Sequence, residues 1–448
     1  MILTGAVEKG SLLEKDLEKE KIGYWEATAI GIGGMVGGGI FAVLGLSVEL
    51  ARGGAPLAFL IAGIVALVTT YSYARLSVTF PSKGGTVAFL DRAFGSGLFT
   101  GSANILLWIS YIVMLSLYAY AFGSYGASLF PEASRMFWKH VLISSSIVGI
   151  TGLNLLSVKL VGETEDWIVL IKLLILLIFI GAGIWGINNT RLAPSAWAPT
   201  LHLAAGGMII FVAYEGFELI ANSSQDVRKP KEALPRAFFS AVIFVIVLYV
   251  LIAIVTVGTL PVSSIVDAKD YALAKAAQPF LGWTGFVLIA VAALLSTASA
   301  INATLYGTAR LSYVIAKDGE LPEFLEKKIW NRPLEGLLIT SGATLLIANL
   351  VNLSSMSTLG SVGFLLIFGA VNAANAVLAV ETDSKRWLSL SGVALCVGAL
   401  ISLLWQAAKR SPNDFFFPFV MIAISILIEV VFRLTTRRRS TTKSQKRL

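Results

Sequence analysis

Gly31-Ile32-Gly33-Gly34-Met35-Val36-Gly37-Gly38-Gly39 places six glycines in nine positions. This run lies inside an apolar stretch long enough to cross a bilayer. Each glycine is disfavoured in a helix interior by roughly 1 kcal/mol relative to Ala, so the run predicts a helix that breaks part-way across. A second such run lies further on, where Gly206-Gly207 is followed by Tyr214-Glu215-Gly216-Phe217-Glu218, two carboxylates beside a glycine at membrane depth. Close helix packing accounts for one glycine-rich segment. Two of them, opening the first and sixth apolar runs, match a five-helix repeat. Five crossings are odd in number, so the second copy enters the membrane inverted, and a site forms between the two broken helices.

The composition around these runs fits. Of 448 residues, 56% are hydrophobic and 14% charged, against about a quarter charged in an ordinary soluble chain. Apolar runs bounded by charges, Pro or polar clusters predict an all-α integral membrane protein of twelve spans. They fall at about 24–50, 56–80, 97–130, 137–157, 166–187, 203–225, 234–258, 282–315, 335–352, 357–380, 387–408 and 415–434. The reading divides into a cytoplasmic tail (1–23), a first five-helix repeat (24–187), an inverted second repeat (203–380), two further helices (387–434) and a basic cytoplasmic tail (435–448). The first 20 residues lack the apolar core of a signal peptide. Eight basic residues (Arg52, Arg135, Lys139, Arg191, Lys269, Lys275, Lys409 and Arg410) fall on one side against 25 on the other, which predicts both termini inside a cell membrane.

The net charge of +8 is concentrated in the last residues, which suits a membrane face and not nucleic acid. Cys396 is the only cysteine and lies in an apolar run, so no disulfide-linked ancillary subunit is expected. His140 and His202 are far apart, and no metal or other cofactor is expected. Enzyme signatures such as HExxH, paired aspartates or a Ser/His arrangement are lacking.

Four segments carry a family resemblance: Gly37-Gly38-Gly39-Ile40-Phe41, Phe80-Pro81-Ser82-Lys83-Gly84-Gly85, Asp226 to Arg236, and Lys317-Asp318-Gly319-Glu320-Leu321-Pro322. With them the chain resembles the amino acid, polyamine and organocation transporter superfamily over its first eight spans. Trp167 to Leu176 and Asn302 to Gly307 are similar to the archaeal proton-coupled, broad-specificity amino acid transporters within it. The resemblance implies a LeuT-like fold with discontinuous helices 1 and 6, and uptake of L-amino acids with protons by alternating access. An amino acid or polyamine exchanger is the alternative, and a non-transporting sensor a further one. The partners implied are the substrate, protons and lipid, for a monomer or weak homodimer.

By the same resemblance, the backbone N–H groups of Gly38, Gly39 and Ile40 hold the substrate carboxylate, and the carbonyls of Val212, Ala213 and Glu215 hold its ammonium. An unwound helix supplies both kinds of group. The missing side chains at Gly37 to Gly39 suggest a roomy pocket. Lys172 matches the position of an amine in the sodium pocket of related carriers; unlike arginine, lysine can exchange its proton. Its expected partners are helix 1 carbonyls near Gly31 to Gly34 and the hydroxyls of Ser296, Thr297 and Ser299. From sequence position alone, snorkelling to the interface explains Lys172 equally well. Glu215 departs from the family's apolar residue. It favours cationic substrates, takes part in proton transfer, or is a neutral acid bonded to backbone. Glu218 is a candidate for gating or pH response, or a helix cap. Trp108, Tyr111 and Tyr306 are candidates to border the cavity.

Overall fold

The computed structural model describes residues 22–156, 159–317 and 334–445. Most of the N-terminal tail, the motif from Asp318 to Pro322 and the side chains of the basic C-terminal segment lie outside the described residues. Those described form helices, with no strand among them beyond two isolated bridges.

The first span is a bent pair, α1 (Tyr24–Met35) and α2 (Gly39–Ala51), meeting at 48°. Next come α3 (Ala55–Thr79), a short α4 (Thr86–Phe94), α5 (Leu98–Ala127), α6 (Arg135–Leu156) and α7 (Lys159–Gly183). The second bent segment joins α8 (Thr200–Ile209), a 3-10 stretch Phe211–Glu218 and α9 (Leu219–Asn222), at 44°. It is followed by α10 (Pro230–Thr259), α11 (Ala272–Lys317), α12 (Leu334–Leu350), α13 (Leu353–Val377), α14 (Arg386–Arg410) and α15 (Pro412–Gln445). Among the described residues nine helices are long and apolar enough to cross a membrane, or eleven counting each bent pair, and α12 is a shorter apolar helix. The chain is a multi-pass membrane protein.

Two stretches differ from the sequence reading. The long α11 is two helices meeting at a kink at Gly282, whose φ of 62° is not helical, and the second of them starts where the eighth span was expected. The amphipathic α4 lies between the second and third expected spans, and its Thr86, Val87, Phe89 and Leu90 face inward. Helix α15 continues past Leu434 to Gln445.

Burial separates centre from rim. The most apolar stretch of α5 is 83% buried and that of α13 is 78%, whereas those of α14 and α15 are 33% and 22% buried, leaving broad apolar faces for lipid.

Ion pairs lie at both ends of the bundle. At the proximal end, where α1 begins, Ile22 and Val227 form a bridge, Lys83 faces Asp226, and Arg92 pairs with Glu381 at 3.1 Å. Two motif segments meet there: the Ser82 amide donates to the Ser224 hydroxyl at 3.1 Å, and Gln225 to the Pro81 carbonyl. At the distal end Glu49 takes Arg410 at 2.9 Å and faces Lys269 at 3.8 Å, and Asp270 takes Lys139 at 2.9 Å. These basic residues belong to the eight that the sequence assigned to one side.

Candidate functional site

Helix α1 ends at Met35, and a helix end leaves its last carbonyls without intrahelical partners. Side chains from three other helices meet them. Lys172 of α7 is 1% exposed and its Nζ donates to the Gly33 carbonyl at 3.1 Å. Tyr249 of α10 donates to the Met35 carbonyl at 2.6 Å. Ser296 of α11 reaches the carbonyls of Val36 at 3.0 Å and Gly37 at 2.7 Å. An ammonium at the negative end of a helix dipole is favourable, and here the buried amine faces that end instead of snorkelling to the interface. Of the three hydroxyls expected around it, Ser296 alone reaches helix 1. Thr297 bonds back to the Ala293 carbonyl at 2.6 Å, and Ser299 lines a cavity described below.

The glycines of the break serve close approach. A Cβ at Gly34 would come within 2.8 Å of the Gly216 carbonyl, and one at Gly216 within 2.2 Å of the Gly34 carbonyl carbon, so the two broken segments touch backbone to backbone. A Cβ at Gly39 would lie 2.8 Å from the Ala213 Cα, and one at Gly38 2.2 Å from the Tyr118 ring. The roomy pocket expected at Gly37 to Gly39 is therefore filled, by Tyr118, Thr297 and Ala213. A β-branched residue at Gly39 would disturb helix packing as well as any ligand.

The helix 6 break is a 3-10 stretch, narrower than the unwinding the sequence suggested, and all eight of its residues are buried. The Ile209 carbonyl at its start takes the hydroxyls of Ser357 and Ser361, and the Val212 amide donates to Ser361 at 3.1 Å. The Ala213 carbonyl is within 3.3 Å of the Tyr249 hydroxyl. Tyr249 therefore sits between the two breaks.

Glu218 accepts from Tyr73 at 3.0 Å, from Thr86 at 3.1 Å, and from Tyr111. It makes no capping bond to α9, so the helix-cap reading does not describe it. Tyr73 is held in a box of rings, with Phe217 and Phe368 at 5.3 and 5.5 Å between centroids. Thr86 is brought in by Gly85, whose φ of 45° is a backbone conformation side chains rarely adopt. Glu215, three residues earlier, is 3% exposed; its Oε1 accepts from Tyr118 at 3.5 Å and its Oε2 has no hydrogen-bond partner.

A cavity of about 800 Å³ runs from Gly33, Gly34 and Glu215 past Ser299 and Thr304 to Trp25 and Glu26 at the proximal end. Tyr111 borders it; Trp108, bonded to Thr340 at 3.3 Å, and Tyr306, on an exposed face, do not. Opposite, a Cβ at Gly45 would lie 2.4 Å from the Lys269 carbonyl, so the distal end is tightly packed.

A family model described as amino acid permease matches residues 22–428. The chain belongs to the amino acid permease family. The permease is 37% identical over 429 residues to an uncharacterized protein of Methanocaldococcus jannaschii, covering 94% of this chain and 98% of that one. It is 32% identical over 430 residues to the inner membrane transport protein YbaT of Escherichia coli, with 94% and 97% covered. To the methylthioribose transporter of Bacillus subtilis it is 26% identical over 381 residues, with 79% and 80% covered. The permease is thus a membrane transporter of a small molecule and not an enzyme. The residues missed from sequence are Tyr73, Tyr118, Tyr249 and Thr86. A tyrosine inside an apolar span is itself a signal, because a buried hydroxyl needs a partner.

Proposed function

We propose that the permease takes up L-amino acids across the cell membrane together with protons, by alternating access, with both termini in the cytoplasm. The observation that carries this reading is Lys172, a buried amine seated on the Gly33 carbonyl at the end of a broken transmembrane helix. By the resemblance to related carriers, a fixed ammonium there takes the place of their sodium ion. Protonated, it ties α7 to α1; neutral, it loses the charge that favours the helix end, so α1 is freed. Proton binding then biases one side of the access equilibrium.

In this reading 24–187 and 203–380 are inverted LeuT-like repeats, each headed by a broken helix, and 387–434 lies outside them. The first-turn amides of α2, Gly39 and Ile40 with Gly38 before them, take the substrate carboxylate, since such amides lack partners within their own helix. The carbonyls of Val212, Ala213 and Glu215 take the ammonium. Tyr118 covers Gly38, so loading moves that ring aside. A cavity reaching the proximal end, with the distal end tightly packed where Gly45 meets Lys269, corresponds to an inward-facing state.

Uptake of labelled amino acids into proteoliposomes tests the proposal. Accumulation is expected when the outside is made acidic, with or without sodium, and not when the pH gradient is collapsed. Strict dependence on sodium would overturn proton coupling; exchange without net accumulation would favour an antiporter.

A further inference from the structure

Glu215 and Glu218 share one buried segment, yet only Glu218 is matched by donors. Three hydroxyls converge on Glu218, whereas the Oε2 of Glu215 has none and its Oε1 has a long 3.5 Å contact with Tyr118. Glu215 also lines the cavity, where its neighbours include Leu219, Ala300 and Ala303. A buried carboxylate oxygen without a donor disfavours any ligand that leaves it bare and favours one that supplies an N–H. Sites built to hydrogen-bond a ligand group discriminate strongly against the analogue lacking it.

We propose that Glu215 is the specificity-determining residue of this site and that it accepts the side-chain nitrogen of a basic amino acid. The inference rests on reading the cavity as an amino acid site. The main-chain groups of the two breaks take the ends common to all amino acids, and the free carboxylate oxygen takes the variable end. An aliphatic side chain leaves Oε2 unpaired, and an acidic one sets carboxylate against carboxylate. Basic substrates are therefore selected and acidic ones excluded.

Calorimetric titration of the purified full-length protein with lysine, norleucine and glutamate tests the assignment. Lysine and norleucine share the same carbon skeleton, and norleucine lacks the terminal ammonium. Lysine is expected to bind at least about tenfold more tightly than norleucine, and glutamate most weakly. In Glu215→Gln, which keeps the shape, lysine affinity should fall about tenfold more than norleucine affinity. If that variant does not fold, the wild-type ratio still decides. Norleucine binding as well as lysine, or equal loss of both in Glu215→Gln, would overturn the inference while leaving the amino acid site intact. Binding of none of the three, with no amino acid uptake, would overturn the site as well.

Discussion

The two broken helices solve the same problem in opposite ways. The break in helix 1 is made of glycine and brings only backbone; its carbonyls are met by Lys172, Tyr249 and Ser296 from three other helices. The break in helix 6 keeps a 3-10 backbone and brings its own chemistry, Glu215 and Glu218. One segment receives side chains and the other supplies them, and they meet where Gly34 lies against Gly216. A site needs both kinds: a glycine segment cannot select among substrates, and a segment lined with side chains cannot approach another backbone this closely.

The largest effect should come from forcing the two breaks apart. In Gly216→Ala the new Cβ would sit 2.2 Å from the Gly34 carbonyl carbon and 2.4 Å from the Met35 nitrogen, both backbone atoms that cannot rotate away. A loss of about 3 kcal/mol or more is expected, seen as a large fall in thermal midpoint or no monodisperse protein. Gly307→Ala, where a Cβ meets nothing within 4 Å inside a helix, should raise the midpoint slightly. Equal behaviour of the two variants would remove the backbone contact from the account. Next, Glu218→Ala removes the acceptor shared by the hydroxyls of Tyr73, Thr86 and Tyr111, of which Tyr73 and Thr86 keep only their 2.8 Å bond to each other. Its expected cost is about 2–4 kcal/mol. Glu218→Gln, which retains an acceptor oxygen, should lose less, and the order of their unfolding midpoints checks this. The smallest effect is Ser296→Ala, about 1 kcal/mol, because Lys172 and Tyr249 still hold neighbouring carbonyls. A much larger loss would mean that helix 1 depends on α11 more than on α7 and α10.

The positions of both breaks were legible in the sequence because glycine runs conflict with helix propensity over a few adjacent residues. Lys172 was legible as an ionisable group at membrane depth, but its depth alone did not separate a buried amine from a snorkelling one. What settled that was a contact across 139 positions, from Lys172 to the Gly33 carbonyl. The use of the glycines was misjudged for a related reason. A residue without a side chain leaves room only if nothing else moves in, and the occupants, Tyr118 on Gly38 and Ala213 on Gly39, lie far along the chain. The contrast between Glu215 and Glu218 was likewise beyond a one-dimensional reading, since it depends on hydroxyls from α3, α4 and α5.

The central claim, that the Lys172 amine carries the coupling proton, is tested most directly by pH-gradient-driven uptake in Lys172→Ala proteoliposomes. Wild-type protein should concentrate its amino acid substrate when only protons can drive the process. The variant should still bind substrate at a fixed pH and equilibrate it down its own gradient, but concentrate none. Accumulation by Lys172→Ala at the wild-type level under the same gradient would contradict the account.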